Sequence, residues 1–194
     1  MAKKHSQSSF FRKLLTAGAF LALFFFTLLL VLSFFPEFVD DTRYADLIQA
    51  AGTRHGVDPR LIRAVIYQES KFHSRARGNA GEIGLMQILP KGAVAEYCRI
   101  QRCPAFAEKE LFKPAVNIEI GTWYLARALQ RWGDYRDYQE LALCQYNAGE
   151  SRAKDWAPEN PKGDVIPRIR IESTRNYVKK IMSRYRFYCG GPDA

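Results

Sequence analysis

The chain has 194 residues, enough for one ordinary domain and an appendage, and it carries no repeat or low-complexity tract. Its net charge of +9 suits an anionic polymer or lipid surface, but no nucleic-acid motif accompanies that charge, so nucleic acid is set aside as a partner. Four cysteines and three histidines show no metal-ligand spacing, so a zinc site is set aside too.

The appendage comes first in the chain. Leu14 to Phe35 is a run of twenty-two uncharged residues rich in Leu and Phe. As a helix it spans about 33 Å, the thickness of a bilayer's hydrocarbon core. Lys3, Lys4, Arg12 and Lys13 precede it, and positive residues before a span hold the N-terminus in the cytoplasm. The expectation is a cytoplasmic flank at 1–13 and a single transmembrane helix at 14–35 in the inner (cytoplasmic) membrane. The rest of the chain then faces the periplasm and the cell wall. A cleaved signal sequence is the rival. Against it, the run exceeds a signal core, no small-x-small site follows at Ser33-Phe34-Phe35-Pro36, and no Cys stands nearby for lipid attachment.

Residues 36–41 read as an acidic linker, 42–188 as one domain and 189–194 as a tail. Within the domain the pattern is helical. A helix is predicted from Thr42 to His55, capped by Asp41 or Thr42 and stopped by Gly56. A second runs from Pro59 to about Lys71, with Asp58 as cap. A polar loop from His73 to Gly84 leads to a short apolar helix or turn at Leu85 to Leu89. Pro114 to Trp132 is a long helix ending at Gly133, and Asp137 to about Asn147 is another ending at Gly149. Loop signals fill 157–168. Ser173 to Tyr185 closes the domain as a basic amphipathic helix. Strand signals are weak, so the class is mainly α.

Cys98, Cys103, Cys144 and Cys189 form an even set in a domain placed outside the cytoplasm, which favours disulfides. Three pairings are open; the favoured one joins Cys98 to Cys103 and Cys144 to Cys189. Much of the positive charge lies on Arg168, Arg170, Arg175, Lys179, Lys180, Arg184 and Arg186. A solvated helix face accounts for such a run, and an anionic polymer or lipid surface is the functional alternative.

Glu69 stands out in the second helix. Leu61, Ile62, Val65 and Ile66 recur at helical spacing. Glu69 follows Val65 by four and Ile66 by three, so it continues the apolar stripe. Burial raises a carboxylic acid's pKa, and an acid protonated near neutral pH can act as a general acid. The plain alternative is that the helix ends there and Glu69 turns into solvent.

Four segments then point at one family: Tyr67-Gln68-Glu69-Ser70, Gly81-Glu82-Ile83-Gly84-Leu85-Met86-Gln87, Tyr146-Asn147-Ala148-Gly149, and Ser173-Thr174-Arg175-Asn176-Tyr177-Val178. In this order and spacing they resemble the soluble lytic transglycosylase domain, over about residues 42–188. The resemblance implies a lysozyme-like fold and a carbon–oxygen lyase acting on peptidoglycan glycan strands, with no cofactor. Such enzymes cut the β-1,4 bond between N-acetylmuramic acid and N-acetylglucosamine. Glu69 would protonate the leaving oxygen. It would then take the proton of the muramoyl C6 hydroxyl, which closes as a 1,6-anhydro ring, with the substrate's acetamido group in place of a second carboxylate.

The resemblance also assigns the supporting residues. Ser70 would hydrogen-bond substrate or orient Glu69, with capping of the helix end as its alternative. Gly81 and Gly84 would let the loop turn beside the cleft. Met86 and Gln87 would wall the cleft, although a Met in an apolar run is more often core. Tyr146 would hydrogen-bond near the acid, Asn147 would read an N-acetyl group, and Tyr177 would line the cleft. Two positions depart from the family. Glu82 stands where a small residue is common, which leaves a second carboxylate and a hydrolytic, lysozyme-type muramidase open. Ser173 stands where the family has glutamate. Glu172 comes one position early, about 100° away on a helix. The third reading is a weakly active wall-binding scaffold docked to cell-envelope assembly machinery.

Overall fold

A computed structural model describes residues 18–29 and 39–191. The chain divides into two units, Met1–Val39 and Asp40–Ala194. In the first, residues 18–29 form helix α1, whose Phe20, Leu21, Leu23 and Phe24 side chains are exposed. The expected span at 14–35 lies partly outside the described residues, as do the flank and the end of the tail. Among the described residues no helix is long and apolar enough to cross a membrane.

The second unit is built from helices. They are α2 (Ala45–His55), α3 (Pro59–Ser70), α4 (Ala95–Gln101), α5 (Glu108–Leu111), α6 (Pro114–Arg131), α7 (Tyr138–Ala148), α8 (Glu150–Trp156) and α9 (Glu172–Tyr188). The signals read in the sequence act where they were placed at several ends. Asp58 accepts the backbone N–H of Arg60, Pro59 opens α3, and Gly56 ends α2 in left-handed backbone at φ 67°. The start of α2 differs from expectation. Asp40, not Asp41 or Thr42, supplies the turn: its Oδ1 accepts from the Thr42 N–H and hydroxyl, and the helix begins at Ala45. Asp41 is engaged elsewhere, with Arg63 and Tyr188.

Helix α7 is the centre of the core. Leu141, Ala142, Leu143, Cys144 and Gln145 are all buried, so the helix is enclosed on every side over that stretch. Helices α6, α8 and α9 pack on it, α2 packs on α6, and α3 lies along α9. Trp132 donates from Nε1 to Oε1 of buried Gln145 at 2.9 Å, joining the end of α6 to α7. Three short helices escaped the sequence reading. α4 buries none of its residues, so it has no apolar stripe to find. α5 has four residues, and α8 starts immediately after the glycine read as a stop.

Of the two forms expected at 85–89, helix or turn, the chain takes a tight turn closed by an isolated antiparallel bridge of Ile83 to Ile88, and Ile83 bridges to Arg77 as well. The Ile83 and Ile88 amides each donate to the other's carbonyl at 3.1 Å. One buried side chain on α6 holds this loop. Asn117 accepts the Met86 N–H at 2.8 Å, and its Nδ2 donates to the carbonyls of Ile83 and Leu111, both at 2.8 Å. Gly84 is required beneath it. Its φ is 76°, and a Cβ there would lie 2.3 Å from Nδ2 of Asn117.

The favoured disulfides are not formed: all four cysteines are free thiols. Cys144 is enclosed in the core on α7, whereas Cys189 is exposed after α9, beside Arg60 and Tyr185. Cys98 and Cys103 are neighbours, and the Cys103 amide donates to the Cys98 carbonyl at 3.1 Å.

Asn117→Ala would strand three buried backbone groups, each costing about 1–3 kcal/mol when unpaired. The expected loss in unfolding free energy is at least about 3 kcal/mol by urea titration. A loss below about 1 kcal/mol would show that the loop's backbone finds other partners.

Candidate active site

Glu69 sits in the last turn of α3, one residue before the helix ends at Ser70. The helix stops because Lys71 and Phe72 both take left-handed backbone, at φ 47° and 64°. Leu61, Ile62, Val65 and Ile66 are fully buried, so Glu69 leaves the core on their side of α3. The side chain keeps a partly open face, and protein surrounds enough of the carboxyl to strip most of its water. Its Oε1 accepts a 2.6 Å hydrogen bond from the phenol of Tyr177 on α9.

Burial pushes the Glu69 carboxyl up to about 7; the Tyr177 bond opposes this, and the charge of Glu82 adds a further push upward. A hydrogen bond to a charged group contributes roughly 1.5–3 kcal/mol. The loss of water outweighs it here, which is why the net direction is up. Glu69 is therefore divided between protonated and ionised forms near neutral pH, the condition that lets one group give and take a proton.

The surrounding groups come from the loop, α7 and α9. Tyr177 is nearly buried, and burial followed by the Glu69 charge pushes its phenol well above the usual range, so it stays a donor. Tyr146 on α7 is pushed up the same way, by burial first and the Glu69 charge second. Its hydroxyl donates to the Met86 carbonyl at 2.8 Å, and its ring meets Tyr124 edge-on at 5.6 Å between centroids. Tyr146 thus lies near the acid but bonds the loop backbone. Asn147 is exposed at the end of α7, and its Oδ1 accepts from the buried Thr174 hydroxyl at 2.8 Å.

The Gly-rich loop carries two polar side chains near each other, Glu82 and Gln87, and the Glu82 charge reaches Glu69. Glu82 accepts the Ala80 N–H at 2.9 Å. Gln87 donates from Nε2 to the Gly84 carbonyl at 2.8 Å and takes φ 45°, strained for a residue with a side chain. Gly78 gives both of them room: a Cβ there would lie 2.2 Å from Oε2 of Glu82 and 2.8 Å from Oε1 of Gln87.

The model of the transglycosylase SLT domain matches residues 46–167. The chain belongs to that family. It is 30% identical over 156 residues to the soluble lytic murein transglycosylase of Escherichia coli K12, covering 76% of this chain and 23% of the relative. It is 35% identical over 116 residues to the membrane-bound lytic murein transglycosylase F of Desulfosudis oleivorans, covering 58% of this chain and 23% of that one. Among solved structures, an inactive mutant of the lytic transglycosylase Slt from Pseudomonas aeruginosa aligns with a TM-score of 0.67 at 28% identity, over 78% of this chain and 25% of that one. The chain therefore spans about a quarter of the length of these relatives.

Within this SLT domain three residues that the resemblance assigns to the site have other surroundings, in line with the alternatives weighed for them. Ser70 is buried, and its hydroxyl donates to the Leu85 carbonyl at 2.8 Å and the Ile66 carbonyl at 3.2 Å, so it ties α3 to the loop rather than facing a cleft. The Met86 side chain has no exposed surface and packs on Thr122, with hydroxyl to sulfur at 3.8 Å; only its backbone serves the site. Glu172 is exposed in the first turn of α9, while Thr174, present in the fourth motif without an assigned role, turns inward to Asn147. Asn117 was missed as well. Its signal was an amide on the apolar face that Ile118, Ile120 and Gly121 share.

The folded chain holds the Glu69 proton more tightly than an unfolded chain, whose carboxyl titrates near 4.5. Stability therefore falls as pH rises from about 4.5 to 7, because the folded state binds more protons there. Glu69→Gln removes that cost. Its gain over the parent, measured by chemical unfolding, should be small at pH 4 and reach on the order of 2–3 kcal/mol at pH 8; a gain independent of pH would refute the raised acid. In Tyr177→Phe the loss of the donor should move the Glu69 midpoint upward by about one unit in an NMR titration.

Proposed function

We propose that this chain is a membrane-anchored peptidoglycan lytic transglycosylase, with Glu69 as acid and then base. One observation carries the reading: a carboxyl held at about 7, beside a phenol donor on the neighbouring helix. Protonated Glu69 gives its proton to the glycosidic oxygen as the bond from the muramoyl C1 breaks. The resulting carboxylate then takes the proton of the C6 hydroxyl as that oxygen bonds to C1. No water is consumed, and the products are a free N-acetylglucosamine end and a 1,6-anhydro-muramoyl end. The Tyr177 phenol steadies the carboxylate between the two transfers. Asn147 and Gln87 are the side chains we assign to the sugar's amide and hydroxyl groups, and Tyr146 holds the loop that carries Gln87.

The anchor is part of the same proposal. The uncharged run 14–35 and its basic flank support it, and relatives described as membrane-bound occur in the family. The wall would then lie on the domain's side of the inner membrane. A second reading, hydrolysis by a muramidase, draws on Glu82, whose charge reaches Glu69 and which could serve as a second carboxylate.

Mass spectrometry of digested sacculi separates the two chemistries. Anhydro-muropeptides are expected from the parent and from Glu82→Gln, while reducing-end products from the parent would establish hydrolysis. Glu69→Gln should lower the rate by about 10²–10⁴, and clearing equal to the parent's in a zymogram would remove Glu69 from the chemistry. In fractionated cells the full-length chain is expected in the membrane pellet; a shortened soluble form alone would overturn the anchor.

A further inference from the structure

The buried Thr174 hydroxyl has one partner among the described residues, Oδ1 of Asn147 at 2.8 Å. A carbonyl oxygen only accepts, so the hydroxyl donates. That direction fixes the amide. Turned over, Asn147 would present Nδ2 to Thr174 and leave a buried hydroxyl proton without an acceptor. The N–H donors therefore lie on the branch of the amide away from Thr174, and among the described residues no protein acceptor takes them. Asn147 itself is exposed, one residue before the end of α7. A surface amide in water turns freely, whereas this one is locked from beneath by a buried neighbour, which is how a binding group is prepared for its ligand.

The pair stands beside the acid. Thr174 and Tyr177 are three residues apart on α9, about 60° apart round its axis and about 4.5 Å along it, and both are buried. From that shared face Tyr177 bonds Glu69 and Thr174 bonds Asn147. Tyr146, the residue before Asn147, lies near the Glu69 charge as well. A glycan strand at Glu69 carries an acetamido group on each ring, so both hydroxyls and amide carbonyls come to the Asn147 donors. A hydroxyl donates or accepts and gains nothing from a fixed amide, whereas a carbonyl oxygen only accepts. We propose that Thr174 is a positioning residue: it holds Asn147 with its N–H donors outward, so that the site takes N-acetylated sugars and rejects de-N-acetylated ones. The ammonium left by removal of the acetyl group has no lone pair to offer these donors. The proposal rests on the reading of peptidoglycan as substrate and of Asn147 as the contact to the sugar's amide.

The test uses the full chain carrying Glu69→Gln, reconstituted in phosphatidylcholine nanodiscs, so that ligand is not consumed. Calorimetry compares a tetrasaccharide of alternating N-acetylglucosamine and N-acetylmuramic acid with its de-N-acetylated form, at a pH that keeps the amines protonated. The acetylated ligand should bind at least about ten-fold more tightly. Thr174→Val keeps the shape and removes the hydroxyl. It should cut the preference several-fold, because the freed amide turns Oδ1 toward the ammonium. Thr174→Ser keeps the hydroxyl and should keep the preference. A purely structural role for Thr174 would weaken both ligands together and leave their ratio. Asn147→Asp still accepts from Thr174 but offers no donor, so it should favour the de-N-acetylated ligand, and it tests the arrangement even if Thr174→Val folds poorly. An unchanged ratio in Thr174→Val, an equal loss in Thr174→Ser, or no reversal in Asn147→Asp would overturn the proposal. The two readings fail separately. If the parent releases anhydro-muropeptides but the ratio does not move, only the role of Thr174 falls. If the ratio moves as expected but the parent cuts no glycan, the enzymatic reading falls and the fixed amide stands.

Discussion

The site depends on helix α9 lying antiparallel along α3, fastened by three phenols. Tyr177 reaches Glu69, Tyr185 reaches Asp58 at 2.9 Å, and Tyr188 reaches Asp41 at 2.7 Å. Each bond joins an α9 hydroxyl to a carboxylate on or before α3, so the register between the two helices is set along the length of the pairing. Val178 and Ile181 on α9 and Ile62 and Ile66 on α3 are fully buried, so apolar burial adds to the adhesion of the paired helices. The polar bonds select the register. A slip of one residue on α9 would rotate Tyr177 by about 100° and take its phenol off the acid.

The three carboxylates face different surroundings, and their acidities separate accordingly. The Arg60 guanidinium beside Asp58 holds that carboxyl down to about 2, with burial opposing and the Tyr185 bond helping. Asp58 is thus a fixed anion that caps α3 and anchors α9. Glu69 has a phenol and no cation, so burial decides its acidity and lifts it to about 7. The same helix therefore carries a fixed anion at one end and a carboxyl that titrates near neutral pH at the other. The difference lies in the Arg60 guanidinium and N–H beside Asp58 and in the deeper burial of Glu69.

Legibility in the sequence follows the range of the forces involved. Helices α3, α6, α7 and α9 could be read because each buries a stripe or core segment bounded by caps and breakers, and Glu69 was visible as an acid on such a stripe. The ends were less legible where a nearby side chain competed, as when Asp40 took the turn before α2. The loop between α3 and α4 could not be read as a structure. Its shape is imposed by Asn117, thirty-one residues beyond Met86, and nothing local in Leu85 to Leu89 signals that amide. Ser70 and Met86 are instructive for the same reason. They sit inside motifs that point at catalysis, and the structure spends the Ser70 hydroxyl and the Met86 side chain on holding the loop.

Loop and acid are therefore one mechanical unit. Ser70 ties the end of α3 to Leu85, Asn117 ties Met86 to α6, and Tyr146 ties the same Met86 to α7. Two of these three ties converge on one residue, so the backbone of Met86 is the joint at which α6 and α7 meet the loop. Gln87, next in the chain, inherits its place from that joint and keeps its strained φ because the neighbours on both sides are pinned. The polar side chains of the loop are thus held by bonds within the protein, Glu82 by the Ala80 N–H and Gln87 by the Gly84 carbonyl.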